Sequence, residues 1–453
     1  MGDRFYLLKP LLVTLTLLFI GLIYWHGAVD QLTLVNTRMK ATDQSAYMNY
    51  ARQMVESDYT FIGGRNRMPL YPYLQSLFYD PAMSDEDFFT QGKYVNLILS
   101  VGLLVGVALI FLRSFNWLLA LNLILITTFT VFIFKAGFFQ AELLFYFLNF
   151  CFFLLMWRML TNPSWFVAVL TGVVAALAHL TKASILPGLV IFIASLVFSW
   201  LRQIFQQASP HETALTGRKA ITYQPVLAFL VVISFLVTTF PYLQTSKMLF
   251  GHYFYNVNST FYLWYDTWEE AKAGTASHGD RIGWPDMPAD EIPSMSKYLG
   301  EHTVYQIFDR FYNGAVLITS KAAYSYGYFK YVIFYGGLLI VTMLKNRSRA
   351  IRLIRSNLPL SLFLTLYFPA YFLLYAWYSP MVDGNNRLIL AQFLPLMFTI
   401  SVGLDRMLSG KRMTISSYQF DTLTLINIGV FIVLLFNILF ILTSRINTMY
   451  GGF

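Results

Sequence analysis

About eleven separate runs of roughly 20 predominantly apolar residues punctuate this 453-residue chain, and a run of that length is what an α-helix needs to cross a bilayer. They cover 8–26, 92–112, 116–134, 138–157, 164–180, 184–201, 223–243, 327–344, 358–378, 388–403 and 422–443. In lipid a helix satisfies its own backbone polar groups, so the expected fold is an all-α polytopic membrane protein. Charged residues make up 12% of the chain against about a quarter in soluble domains, and the mean hydropathy is +0.55. The first run has a basic flank, Arg4 and Lys9, like a signal peptide. It is too long for one and ends in Tyr24-Trp25 without a small-residue cleavage site, which predicts a retained span.

A net charge of +9 raises the question of a nucleic-acid partner, and topology answers it. Cations collect in short cytoplasmic loops. With the N-terminus cytoplasmic, the basic segments 345–355 and 405–412 lie inside and the C-terminus outside. Three short outer hairpins then carry as cations only Lys135, Lys182 and Arg387. The excess charge is accounted for by orientation, and no nucleic-acid partner is expected. The single cysteine, Cys151, excludes an intrachain disulfide.

Three blocks follow: an N-terminal transmembrane module over 1–243 with a first outer loop at 27–91, a large outer loop or small cap at 244–326, and C-terminal transmembrane helices at 327–453. The cap region is rich in Gly, Pro and acidic residues and carries Trp264, Trp268 and Trp284, whose faces suit either a sugar ring or the membrane interface. No internal repeat appears, which disfavours a transporter.

Chemistry concentrates in the first outer loop. After Asp43, apolar residues recur as Ala46/Tyr47, Tyr50/Ala51 and Met54/Val55, the spacing of a helix with one buried face. From position alone Asp43 reads as its N-cap. Arg65 and Arg67 precede Pro69 and Pro72, which stiffen the turn, and guanidinium forks suit phosphate. Surface arginines also meet lipid headgroups, and for Arg65 that reading is preferred. Glu142, Lys182 and Arg387 stand at span ends on the same expected side, where an ionised group is costly unless paired or wet. Asp85-Glu86-Asp87 reads as a capped helix start after Ser84, Gly63-Gly64 has no phosphate-loop continuation, and Asn258-Ser-Thr is a glycosylation acceptor only in a eukaryotic lumen. The six histidines show no metal spacing and read as packing or surface residues.

Asp43 before an A-x-Y helix, Arg67-x-Pro69-x-Tyr71-Pro72, Ala141-Glu142, Leu180-Thr181-Lys182 and Asn386-Arg387, in this order, resemble the GT-C membrane glycosyltransferases. The branch is that of protein O-mannosyltransferases and lipid A aminoarabinose transferases. The resemblance covers roughly residues 1–200 and then only the Arg387 segment. It implies a GT-C-like fold with interfacial helices in the first outer loop, and inverting transfer of a sugar from a polyprenyl-phosphate donor to a lipid, glycan or protein hydroxyl. The site would face the periplasm from a bacterial inner membrane. It implies Asp43 at the reaction centre, Arg67, Lys182, Arg387 and Arg65 as candidates for the donor phosphate, and Glu142, Tyr47 and Tyr71 as acceptor or supporting residues. Many relatives carry a second acid after the aspartate. Gln44 stands there in this chain, which speaks against a metal cofactor or a two-carboxylate mechanism. The competing classes are a polymerase or ligase of diphosphate-linked glycan and a sugar-lipid flippase or transporter.

Overall fold

The computed structural model describes residues 2–60, 65–207, 214–277, 292–382, 387–415 and 418–448. Its helices are α1 (Gly2–Asp30), α2 (Gln44–Glu56), α3 (Leu70–Ser76), α4 (Asp85–Ser114), α5 (Trp117–Thr127), α6 (Glu142–Thr161), α7 (Trp165–Thr181), α8 (Leu186–Gln207) and α9 (Ala214–Phe250). The chain continues as α10 (Val257–Thr260), α11 (Trp268–Ser277), α12 (Met295–Glu301) and α13 (Val304–Tyr324). The chain closes with α14 (Phe329–Lys345), α15 (Arg347–Ser356), α16 (Leu358–Tyr378), α17 (Arg387–Leu390), α18 (Phe393–Leu408) and α19 (Thr422–Phe440).

Among the described residues, seven helical stretches are long and apolar enough to cross a membrane, or eight if α13 and α14, bent by 106° at their junction, count as one. The protein is thus an all-α polytopic membrane protein. The runs at 116–134, 164–180, 327–344 and 388–403 each give a shorter helix. One is interrupted: after Arg387–Leu390 the helix restarts at Phe393. Apolar composition sets hydropathy, but backbone breaks set helix length, and only the first is written plainly in sequence. Along α9, Val226, Phe229, Ile233, Val237 and Phe240 are exposed at helical spacing, the lipid-facing stripe expected of such a bundle.

One small element departs from the all-α expectation. An antiparallel hairpin, β1 (Arg412–Ile415) and β2 (Tyr418–Asp421), joins α18 to α19. Arg412 lies opposite Asp421, an arrangement that favours this register. Helix α9 continues beyond the apolar run at 223–243 to Phe250, and the chain turns at Gly251, whose φ is +74°. Trp284 lies outside the described residues.

The centre of the molecule is α5, the irregular stretch 133–141 and the start of α6, where nearly every side chain is buried. Polar contacts tie outer helices to this centre: Asn122 of α5 donates to the Asn427 carbonyl at 2.9 Å, and Tyr335 of α14 donates to the Asn427 side chain at 2.8 Å. Gly137 packs so tightly on Leu32 that a Cβ would meet its backbone at 2.9 Å. That contact presses the end of the first span against the stretch leading into Glu142.

Candidate active site

The stretch between α1 and α4 is held in place by its own polar contacts. Gln44 is fully buried and forms a mutual amide pair with Asn36, donating at 2.8 Å and accepting at 2.7 Å. It also donates to the Ala41 carbonyl at 3.0 Å and accepts from the Phe139 amide at 2.8 Å. Gln140 donates to the Thr42 hydroxyl, and Thr42 has φ +66°, a conformation a β-branched residue adopts only when its surroundings impose it. Asp43 is therefore fixed by its neighbours on both sides. A glutamate at position 44 could not donate to Asn36 or Ala41 and would bring a buried charge. Gln44→Glu is expected to destabilise the protein by about 2–4 kcal/mol, read as a lower midpoint of thermal unfolding in detergent. An unchanged midpoint would show that the amide pair does not hold the loop.

Helix α2 begins where the periodicity places it, with one adjustment of face. Tyr47, Met48, Ala51 and Met54 are buried, whereas Ala46 is exposed and Val55 half-buried. Asp43 occupies the N-cap position, yet its side chain caps nothing. One carboxylate oxygen accepts from Arg67 at 2.6 Å and the other from Arg387 at 2.5 Å. Burial alone would push the Asp43 carboxyl up. The guanidiniums of Arg67 and Arg387, with Lys182 beyond, outweigh it and hold the group well below the usual carboxylate range.

The second carboxylate, Glu142, opens α6 and is 1% exposed. Lys182 donates to it at 3.0 Å from the C-terminal cap of α7, and Arg387 lies 3.6 Å from the same oxygen. Arg387 thus bridges the two carboxylates. Its backbone is fixed from α6, where Tyr146 donates to the Arg387 carbonyl at 3.0 Å and Asn149 donates to the Ala391 carbonyl at 2.7 Å. Asn66 accepts from Arg67 through its side chain at 2.6 Å. Asp43, Arg67, Glu142, Lys182 and Arg387, drawn from distant parts of the sequence, thus form one continuous ion-pair network.

This network borders a cavity of about 360 Å³. Asp43, Tyr47, Arg67, Lys182 and Arg387 line it together with Asn66, His179, Asn258 and Tyr378. The polar complement is incomplete: Arg67 Nε, Glu142 Oε2 and His179 Nδ1 are buried without a hydrogen-bond partner. Of these residues Arg67 and His179 line the cavity, while Glu142 stands behind it against Lys182 and Arg387.

Two candidates fall elsewhere. Arg65, two residues from Arg67, points the opposite way. Its φ of +56° turns it into the bundle, where it is 1% exposed, donates to Ser246 at 2.9 Å and Thr245 at 2.8 Å, and stacks 4.0 Å from the Tyr242 ring. Arg65 joins the first loop to α9 and neither lines the cavity nor faces headgroups, a correction to both readings of it. Tyr71 sits behind Tyr47, edge-on at 5.3 Å, and its hydroxyl accepts from Gln75 at 2.9 Å. It supports the wall without reaching the cavity. Asp85 pairs with Arg52, and Ser84 caps α4, accepting from the Asp87 amide at 3.1 Å. Asn386 lies outside the described residues.

His179, passed over in the sequence for want of metal spacing, is the residue sequence reasoning missed. The available signal was its place one helical turn before Lys182. Among the described residues, no group of three or more His, Cys, Asp and Glu side chains is arranged to hold a metal ion.

A second, apolar hollow of about 540 Å³ is lined by Met54, Tyr59, Pro69, Tyr73, Leu77 and Leu180 among others, and shares no lining residue with the charged cavity. Neighbours in sequence divide between the two. Met68 and Thr181 face the charged cavity, Pro69 and Leu180 the apolar one. No protein-family model, curated protein or solved structure matches the chain. Function therefore rests on the chemistry of the site.

Proposed function

We propose that this protein is a membrane glycosyltransferase of GT-C type that moves a sugar from a polyprenyl phosphate to a hydroxyl at the outer face of the membrane. Three cations, Arg67, Lys182 and Arg387, against two carboxylates, Asp43 and Glu142, leave the network one net positive charge beside the cavity. That observation carries the reading. A sugar-bearing lipid phosphate is a phosphodiester with one negative charge, which balances the network. A diphosphate-linked glycan brings more negative charge than the network offsets, which counts against the polymerase. The apolar hollow, lined by the sequence neighbours of Met68 and Thr181, suits isoprene units of the lipid.

On this reading the resting contacts of Asp43 are a placeholder. Phosphate oxygens entering the cavity compete for the forks of Arg67 and Arg387. The carboxylate they release regains basicity next to the incoming hydroxyl. The acceptor oxygen attacks the anomeric carbon, its proton passes to Asp43, and the sugar–phosphate bond breaks with inversion. Lys182 and the two arginines stabilise the charge that gathers on the departing lipid phosphate. Glu142 keeps Lys182 and Arg387 in place. The orientation that goes with it has the N-terminus in the cytoplasm, about eleven membrane segments counting the short helices, and the cavity open to the periplasm.

The test is turnover of a panel of radiolabelled polyprenyl-phosphate sugars by the purified protein with membrane extracts as acceptor. Transfer from at least one monophosphate donor is expected. Turnover confined to a diphosphate-linked glycan would replace this reading with the polymerase.

A further inference from the structure

We propose that His179 is a sugar-recognition residue of this cavity, using its imidazole to hydrogen-bond a hydroxyl of the sugar carried by the lipid phosphate. The proposal rests on the transferase reading and adds a residue and a contact to it. His179 lies in the last turn of α7 and is 3% exposed. Its ring is edge-on to Phe235 at 5.7 Å, Tyr242 at 6.2 Å and Phe254 at 6.1 Å, and Nδ1 has no partner.

If packing were its whole purpose, phenylalanine would fill this aromatic box without burying an unmatched polar atom. His179 lines the cavity, so an occupant can meet its imidazole. His179 and Lys182 are three apart at the end of one helix and both line the cavity, so they are neighbours on its wall. A phosphate held by Lys182 and the two arginines carries its sugar through a single oxygen, which puts the ring against the adjoining wall. There a neutral imidazole offers one donor and one acceptor, and a sugar hydroxyl can use either. Tyr242 and Phe254, which also line the cavity, add aromatic surface for the sugar's C–H face. Asp43, Lys182 and Arg387 are engaged in ion pairs, whereas the His179 imidazole has capacity to spare.

The experiment measures binding to the full-length protein in nanodiscs of bare undecaprenyl phosphate and of its mannosyl, glucosyl and aminoarabinosyl forms. Wild type should bind at least one glycosylated lipid more tightly than the bare phosphate. His179→Phe keeps the aromatic packing and removes the nitrogens. It should weaken that glycosylated lipid about tenfold, the value of one neutral hydrogen bond, and leave the bare phosphate within about twofold. His179→Gln, which restores a donor and an acceptor, should recover part of the loss. Equal weakening of both lipids by His179→Phe, or no weakening of either, would overturn the proposal, as would a wild type that gains nothing from the sugar. Binding of a glycosylated lipid that depends on His179 but is never followed by transfer would sink the transferase reading and leave this contact standing.

Discussion

Asparagine in place of Asp43 should lower sugar transfer by about 10²–10⁴-fold, the range for removing a positioned general base, without raising the donor KM. Asp43→Asn keeps the shape of the side chain and one acceptor oxygen, so the loop anchored by Gln44 and Thr42 has no reason to move. It removes a negative charge that competes with the substrate for Arg67 and Arg387. Donor binding should therefore hold or tighten while kcat falls, a split that a general collapse of the site could not produce. The pH dependence of stability supplies a separate check. Because the folded-state pKa of Asp43 is depressed, its contacts stabilise the fold fully above the ordinary carboxylate range. The stabilisation is lost as pH falls from that range through the depressed value, and the asparagine variant should lack this part of the acid limb. Full activity in Asp43→Asn would end its candidacy as the base.

The sequence was most legible where local rules act. Periodicity placed a helix directly after Asp43, and Ser84 marked the start of α4. It was least legible where long-range packing decides. Asp43 sits where an N-cap belongs, and a local rule assigns its oxygens to backbone amides. Two arginines, one of them more than three hundred residues away, outbid those amides because a charge-assisted pair in a half-buried setting outweighs a cap bond. Arg65 and Arg67 look alike in the sequence. The positive φ at Arg65 and a waiting set of acceptors on α9 send one into the bundle, while the other lines the cavity. No reading of six residues around position 65 contains that information. Gln44 was legible only as an absent acid, and its positive role, the amide pair with Asn36, required seeing both partners.

Glu142 and Lys182 give the largest expected effect on stability. Glu142 is almost wholly enclosed, and its contacts to Lys182 at 3.0 Å and Arg387 at 3.6 Å offset the cost of holding a carboxylate there. Removing one member of such a buried pair leaves the other charge uncompensated, at a cost of about 3–5 kcal/mol. Glu142→Gln and Lys182→Met should each lower the unfolding midpoint by an amount in keeping with that figure. The double variant removes both charges, so much of the loss should return, and the coupling measured by the cycle should exceed about 1 kcal/mol. Activity should behave differently. Restoring the fold in the double variant does not restore Lys182, which on the proposed mechanism faces the departing phosphate and by analogy with single oxyanion donors is worth about 10²–10³-fold in kcat. A double variant that regains stability and remains slow would separate the structural duty of Glu142 from the chemical duty of Lys182. One that regains both would reduce Lys182 to the counter-ion of a buried acid and leave Arg67 and Arg387 as the phosphate clamp.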